Sequence, residues 1–175
     1  MIYFTADLHF GHKRIIESTQ RSFNSVEEMD AALITNWNSR ITEKDEVYIL
    51  GDITMKKQPE YVMDILNRLN GRKYLVRGNH DHFVDKAEFD QSLFEWVKDY
   101  HVMSYEKMKF VLFHYPIHEW DQSHRGSVHL HGHQHNKSDY NTKNAQNGLL
   151  RYDVGVEVNN YAPVSIQKII SLFAL

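Results

Sequence analysis

Hydrophobic runs that stop at aspartate, asparagine or histidine constrain the fold of this chain more than any other feature. Three of them end at Asp7-Leu8-His9, at Gly51-Asp52 and at Gly78-Asn79-His80-Asp81. Two more end at a lone His114, after Lys109-Phe110-Val111-Leu112-Phe113, and at Gly132-His133-Gln134-His135. Short apolar runs bounded by turn residues read as strands. The fold therefore has to bring five strand ends to one edge, and in open α/β sheets the edge beyond the carboxyl ends is where sites form. Within Asp7-x-His9 and His133-x-His135 the side chains stand at i and i+2, so an extended backbone points both members to one side. Gly51, Gly78 and Gly132 permit tight turns and close approach of backbone to the site.

The donors are carboxylate, amide oxygen and imidazole, with no thiolate, because the chain has no cysteine. Hard O/N donors of this kind suit divalent metals and phosphate chemistry. The five strings together point to a two-metal hydrolytic site. Absence of cysteine also excludes disulfides and fits a reducing cytosol.

Length and composition set the remaining bounds. The 175 residues suit one domain, spanning 1–175, with a real hydrophobic core. Hydrophobic residues at 42% and charged residues at 25% are ordinary for a soluble globular chain. No apolar run reaches about 18 residues, so no membrane span is expected. The start runs straight into Ile2-Tyr3-Phe4, without the basic and apolar regions of a signal peptide, and a cytoplasmic location is expected. The net charge of -3 argues against general affinity for nucleic acid. Bound cations would still make one pocket locally positive.

Strands and helices alternate along the chain. Strands are predicted at 2–6, 46–50, 73–76, 128–130 and 149–154, with a hairpin pairing 102–105 and 109–113 around Glu106-Lys107. Ser25 followed by Glu28 reads as a capping box, and Met29, Leu33 and Trp37 carry helical spacing to about Arg40. Pro59 opens a second helix whose stripe is Val62, Ile65, Leu66 and Leu69, stopped by Asn70-Gly71. A closing helix covers 165–172. The polar stretches 120–126 and 138–148 read as loops.

The pattern D-x-H, G-D, G-N-H-D, H, G-H-x-H resembles that of the calcineurin-like metallophosphoesterase family. Its motifs run from Asp7 to His135 with none missing, and Asp7-Leu8-His9-Phe10-Gly11-His12 looks like a subgroup signature. The short length resembles the small bacterial, archaeal and phage members without an added cap domain. The resemblance implies an α/β fold, a two-sheet mixed β-sandwich flanked by helices. It implies that Asp7, His9 and His135 hold one divalent metal, that Asn79, His114 and His133 hold a second, and that Asp52 bridges them. Manganese is the first expectation, with iron, zinc or nickel as alternatives. A metal-bridging hydroxide would attack phosphorus, His80 would contact the phosphate or protonate the leaving oxygen, and Asp81 would orient His80 by a hydrogen bond.

Several residues have a second reading. His114 and Asp52, each taken alone, would be a structural histidine and a turn residue. His12 either faces the substrate or caps a helix start near Lys13. His131 alternates with His133 and His135, yet buried hydrogen bonding accounts for it equally well. Arg77 reads as solvated or salt-bridged. His12, Tyr115 and Trp120 are candidates for the rim that meets the leaving group, with packing the default for the two aromatics. The expected activity is hydrolysis of a small phosphate ester, a nucleotide among the candidates, by a dinuclear phosphodiesterase. A phosphomonoesterase and a non-catalytic metal-binding scaffold are the alternatives, and His80 within an intact motif favours catalysis.

Overall fold

The computed structural model describes residues 1–174. Five strands form the first sheet: β1 (Ile2–Thr5), β2 (Glu46–Ile49), β3 (Arg72–Val76), β4 (Trp96–Lys98) and β9 (Val164–Ser165). Their order is β4-β3-β2-β1-β9, parallel except for β9, which runs antiparallel to β1. The second sheet is β5 (Tyr100–Tyr105), β6 (Met108–Phe113), β7 (Val128–His131) and β8 (Arg151–Asp153), in that order. Its first pair is an antiparallel hairpin and the other two pairings are parallel. Both central turn residues of the hairpin, Glu106 and Lys107, have positive φ, as a two-residue turn between right-twisted strands requires.

Side-chain alternation explains the layering. Phe4, Tyr48, Leu50 and Val76 point toward Phe110, Leu112, Val128 and Leu130, and these residues form the core between the sheets. The intervening positions Tyr3, Val47, Ile49 and Leu75 face outward. There α2 (Val26–Asn38) and α3 (Pro59–Asn67) cover them with Met29, Leu33, Trp37, Val62, Ile65 and Leu66. The first sheet is thus buried on both faces, which is why its strands read as continuous apolar runs. Outside the second sheet α4 (Tyr140–Gln146) packs on β8, and α5 (Ile166–Phe173) packs Ile166 and Ile169 against the inter-sheet core. The architecture is the expected two-sheet sandwich flanked by helices. Among the described residues no helix is long and apolar enough to cross a membrane.

The cap at Ser25 forms as expected. Its hydroxyl accepts from Glu28 N at 3.1 Å, while the Glu28 carboxylate reaches back to Asn24 N at 2.8 Å. The stretch 138–148 is not a loop throughout, since α4 occupies most of it. The buried side chains of α4 are Asn141 and Asn144, so apolar periodicity has nothing to report. Asn141 bonds Asp153 N and O, and Asn144 donates to Arg151 O, so amides dock this helix onto β8. The short α1 (Lys13–Ser18), β4 and the two-residue β9 also lack a readable periodic signal.

Candidate metal centre

The two segments that carry the first ligands lie side by side beyond the ends of β1 and β2. Asp7 N donates to Gly51 O, His9 N to Asp52 O and Phe10 N to Ile53 O. The expected extended backbone is corrected here. Asp7, His9, Asp52, His133 and His135 have φ of +57°, +52°, +57°, +71° and +48°. Non-glycine residues seldom adopt this left-handed region, and five instances at one site mark strain that the surrounding structure holds in place. The side chains still converge, but through the left-handed turns rather than a strand pleat.

Two groups result. Ligand atoms of Asp7, His9 and His135 lie within 4.8 Å of one another, and so do those of Asp52, His114 and His133. Asn79 joins the second group, its Oδ1 standing 3.0 Å from His114 Nε2. Asp52 Oδ2 lies 3.8 Å from His9 Nε2 and 3.5 Å from His114 Nε2, facing both groups. Backbone must come close for this to happen. A Cβ on Gly78 would lie 2.3 Å from Asp52 Oδ1, and one on Gly132 would lie 2.7 Å from Asp7 Oδ2.

The electrostatics fit cations. Burial raises the pKa of Asp7 well above the carboxylate range, and the nearby carboxylates of Asp153, Glu157 and Asp52 raise it further. A divalent cation reverses that cost. Burial pushes His9 down to about 3, so it is a neutral donor. Both of its buried ring nitrogens lack a hydrogen-bond partner among the described residues. An orphaned buried polar atom costs about 1–3 kcal/mol, and ligation removes the deficit at the coordinating nitrogen. Burial would raise Asp52, but the His114 imidazole, the His80 N–H and His9 together hold the carboxyl at about 2. The same pairing raises His114 against the effect of its own burial.

The other predicted site residues fall into place around these groups. His80 presents a side chain 34% exposed, with Nε2 3.9 Å from Asp52 Oδ2, so solvent reaches it. Asp81 is buried, and its carboxylate accepts from the backbone N–H groups of Asp52, Ile53 and Gly78. The expected bond from Asp81 to the His80 ring is not among its contacts with the described residues. Its geometry instead locks the Gly51–Ile53 turn against the Gly78 turn. His12 sits at the start of α1 without a side-chain cap bond, and its ring centroid is 5.4 Å from that of His9. Tyr115 stands edge-on to His133 with centroids 4.5 Å apart. Trp120 packs beside His129 and donates to Ser127 O, a packing role. His131 is buried on the outer face, with Nδ1 2.9 Å from Gly132 O and Nε2 3.2 Å from the Tyr140 hydroxyl. Arg77 pairs with Asp85.

Two residues of the site carry no local signal in the sequence. Glu157 Oε1 accepts from His135 Nδ1 at 2.8 Å and from Arg21 Nη2 at 2.6 Å. Buried Arg21 also donates to Asp7 O at 2.6 Å and Leu8 O at 2.9 Å. One guanidinium thus ties the carboxylate that orients His135 to the backbone that carries Asp7. Partners of this kind fix ring orientation and typically contribute about 10–100-fold in metal affinity. Glu157→Gln is therefore expected to weaken metal binding by roughly that factor. Calorimetric titration with Mn checks it, and an unchanged affinity refutes the orienting role.

Two donor groups facing Asp52 could hold divalent cations, and comparison with known proteins gives the family. Residues 1–156 match the Calcineurin-like phosphoesterase superfamily domain, and the chain belongs to that family. It is 36% identical over 174 residues to an uncharacterized protein of Methanocaldococcus jannaschii, an alignment covering 98% of this chain and 90% of the relative. Over 81 residues it is 42% identical to the Gene 66 protein of Mycobacterium phage L5, covering 45% of this chain and 39% of that protein. A solved structure of a protein of unknown function from Aquifex aeolicus superposes with a TM-score of 0.76 and 26% identity, covering 98% of both chains.

Proposed function

We propose that this metal-dependent phosphoesterase is a dinuclear phosphodiesterase acting on small phosphate diesters. One observation supports the diester reading: two separate pockets adjoin residues of the site, one at His135 and one at His80. One, of about 850 Å³, borders His135 and Glu157; the other, of about 400 Å³, borders His80. A diester has a substituent on each side of phosphorus and would use both, whereas a monoester would use one.

Asp7, His9 and His135 would hold one cation, and Asn79, His114 and His133 the other, with Asp52 between them. Manganese is the first candidate. When bound, such ions lower the pKa of water and neutralise charge on phosphoryl oxygens. His80 is the proton donor to the leaving oxygen, being the exposed imidazole beside Asp52. His12, whose ring lies next to that of His9, meets the substrate at the rim. Asp81 and the Arg21–Glu157 pair keep the donors in place.

The expected result is a higher kcat/KM for diesters than for monoesters, measured with matched leaving groups in the presence of Mn. A clear monoester preference overturns the diester reading and leaves the phosphoesterase assignment standing.

A further inference from the structure

The two pockets differ in charge. The one at His80 is lined by Lys56, Lys57, Lys86 and His82, with Met55 beside them, and no carboxylate among the described residues lines it. All three lysines are exposed, and none is in an ion pair among the described residues. The pocket at His135 has one lysine, Lys137, and the carboxylate of Glu157. Exposed lysines are common on protein surfaces and individually weak. These three line one concavity that opens on His80, where charge adds up. Lys56 is also held in position. A Cβ on Gly11 would lie 2.9 Å from Lys56 Cε, and Lys56 Nζ stands 5.9 Å over the Tyr61 ring. Asp30 accepts from both Gly11 N and the Tyr61 hydroxyl, which fixes this wall.

We propose that the lysine pocket is a subsite for a second phosphate, carried by the substrate on the His80 side of the scissile phosphorus. The substrate class is then a small diester whose leaving group is itself phosphorylated, as in a nucleotide derivative. This deepens the phosphodiesterase reading and rests on it. A nucleic acid strand fits less well, because a chain of net charge -3 has little general affinity for a polyanion.

Binding to the Mn-loaded protein tests the subsite without requiring turnover. The probes are thymidine 3′,5′-bisphosphate, thymidine 3′-monophosphate and thymidine 5′-monophosphate, compared by calorimetry at fixed low salt. The bisphosphate is expected to bind about tenfold more tightly than either monophosphate, equivalent to ~1.4 kcal/mol. That advantage is expected to shrink to under about threefold in Lys56→Gln/Lys57→Gln/Lys86→Gln and to persist in the corresponding triple arginine variant. Equal affinity for the bisphosphate and both monophosphates in the unmodified protein overturns the subsite. So does an advantage that survives the glutamine changes, or failure of all three probes to bind. A thymidine oligonucleotide that binds more than about tenfold tighter than the bisphosphate overturns the small-molecule class. Mn-dependent turnover of bis(p-nitrophenyl) phosphate by the unmodified protein, a substrate without a second anion, reports separately on the phosphodiesterase reading.

Discussion

Asp52→Ala is expected to lower turnover by at least about 1000-fold, since loss of ~4 kcal/mol of transition-state stabilisation is enough for that. It should also lose more metal than any other single ligand change. Its carboxylate is the one that faces both donor groups, with Oδ2 within 3.5 Å of His114 Nε2 and 3.8 Å of His9 Nε2. Its Oδ1 accepts from His80 N at 2.9 Å, so the alanine variant also loosens the turn that carries His80. Asp52→Asn separates these effects, because the amide oxygen preserves that acceptor while the negative charge is gone. Metal analysis should find fewer than two ions per chain in both variants, and the His133→Ala variant, which touches only one group, should keep the first site. Two tightly held ions in Asp52→Asn would remove the bridging assignment.

His80→Ala should keep both metals and the fold, yet lower kcat on the order of a hundredfold for substrates with poor leaving groups. The side chain belongs to neither donor group and is 34% exposed, so its removal leaves no buried hole. A general acid matters in proportion to the basicity of the leaving oxygen. The loss should therefore shrink for nitrophenolate esters, which leave without protonation. An equal loss across good and poor leaving groups would assign His80 to phosphate positioning instead.

The sequence determined the elements that carry their own period and the side chains that carry their own chemistry. The stripe Met29, Leu33 and Trp37 read as a buried helix face and is one. The apolar runs ending at Asp7, Asp52, Asn79, His114 and His133 read as strands feeding one edge, and they deliver those side chains to two neighbouring groups. Burial on both faces of a sheet writes itself into consecutive residues, so a linear reading recovers it.

Tertiary structure decided what depends on the path of the chain. The left-handed backbone at five ligand positions replaces the expected pleat: Asp7, His9 and Asp52 lie in two loop segments that pair beyond the strand ends, and His133 N donates to the Asp7 carboxylate from a third. Asp81 anchors backbone rather than the neighbouring imidazole, since folding brings three N–H groups to its carboxylate. The helix α4 docks through Asn141 and Asn144, whose polarity disguises burial. Arg21 reaches Glu157 across 136 positions of sequence to steady His135. Local composition encodes period and donor type, but a contact between distant residues exists only once the layers have packed.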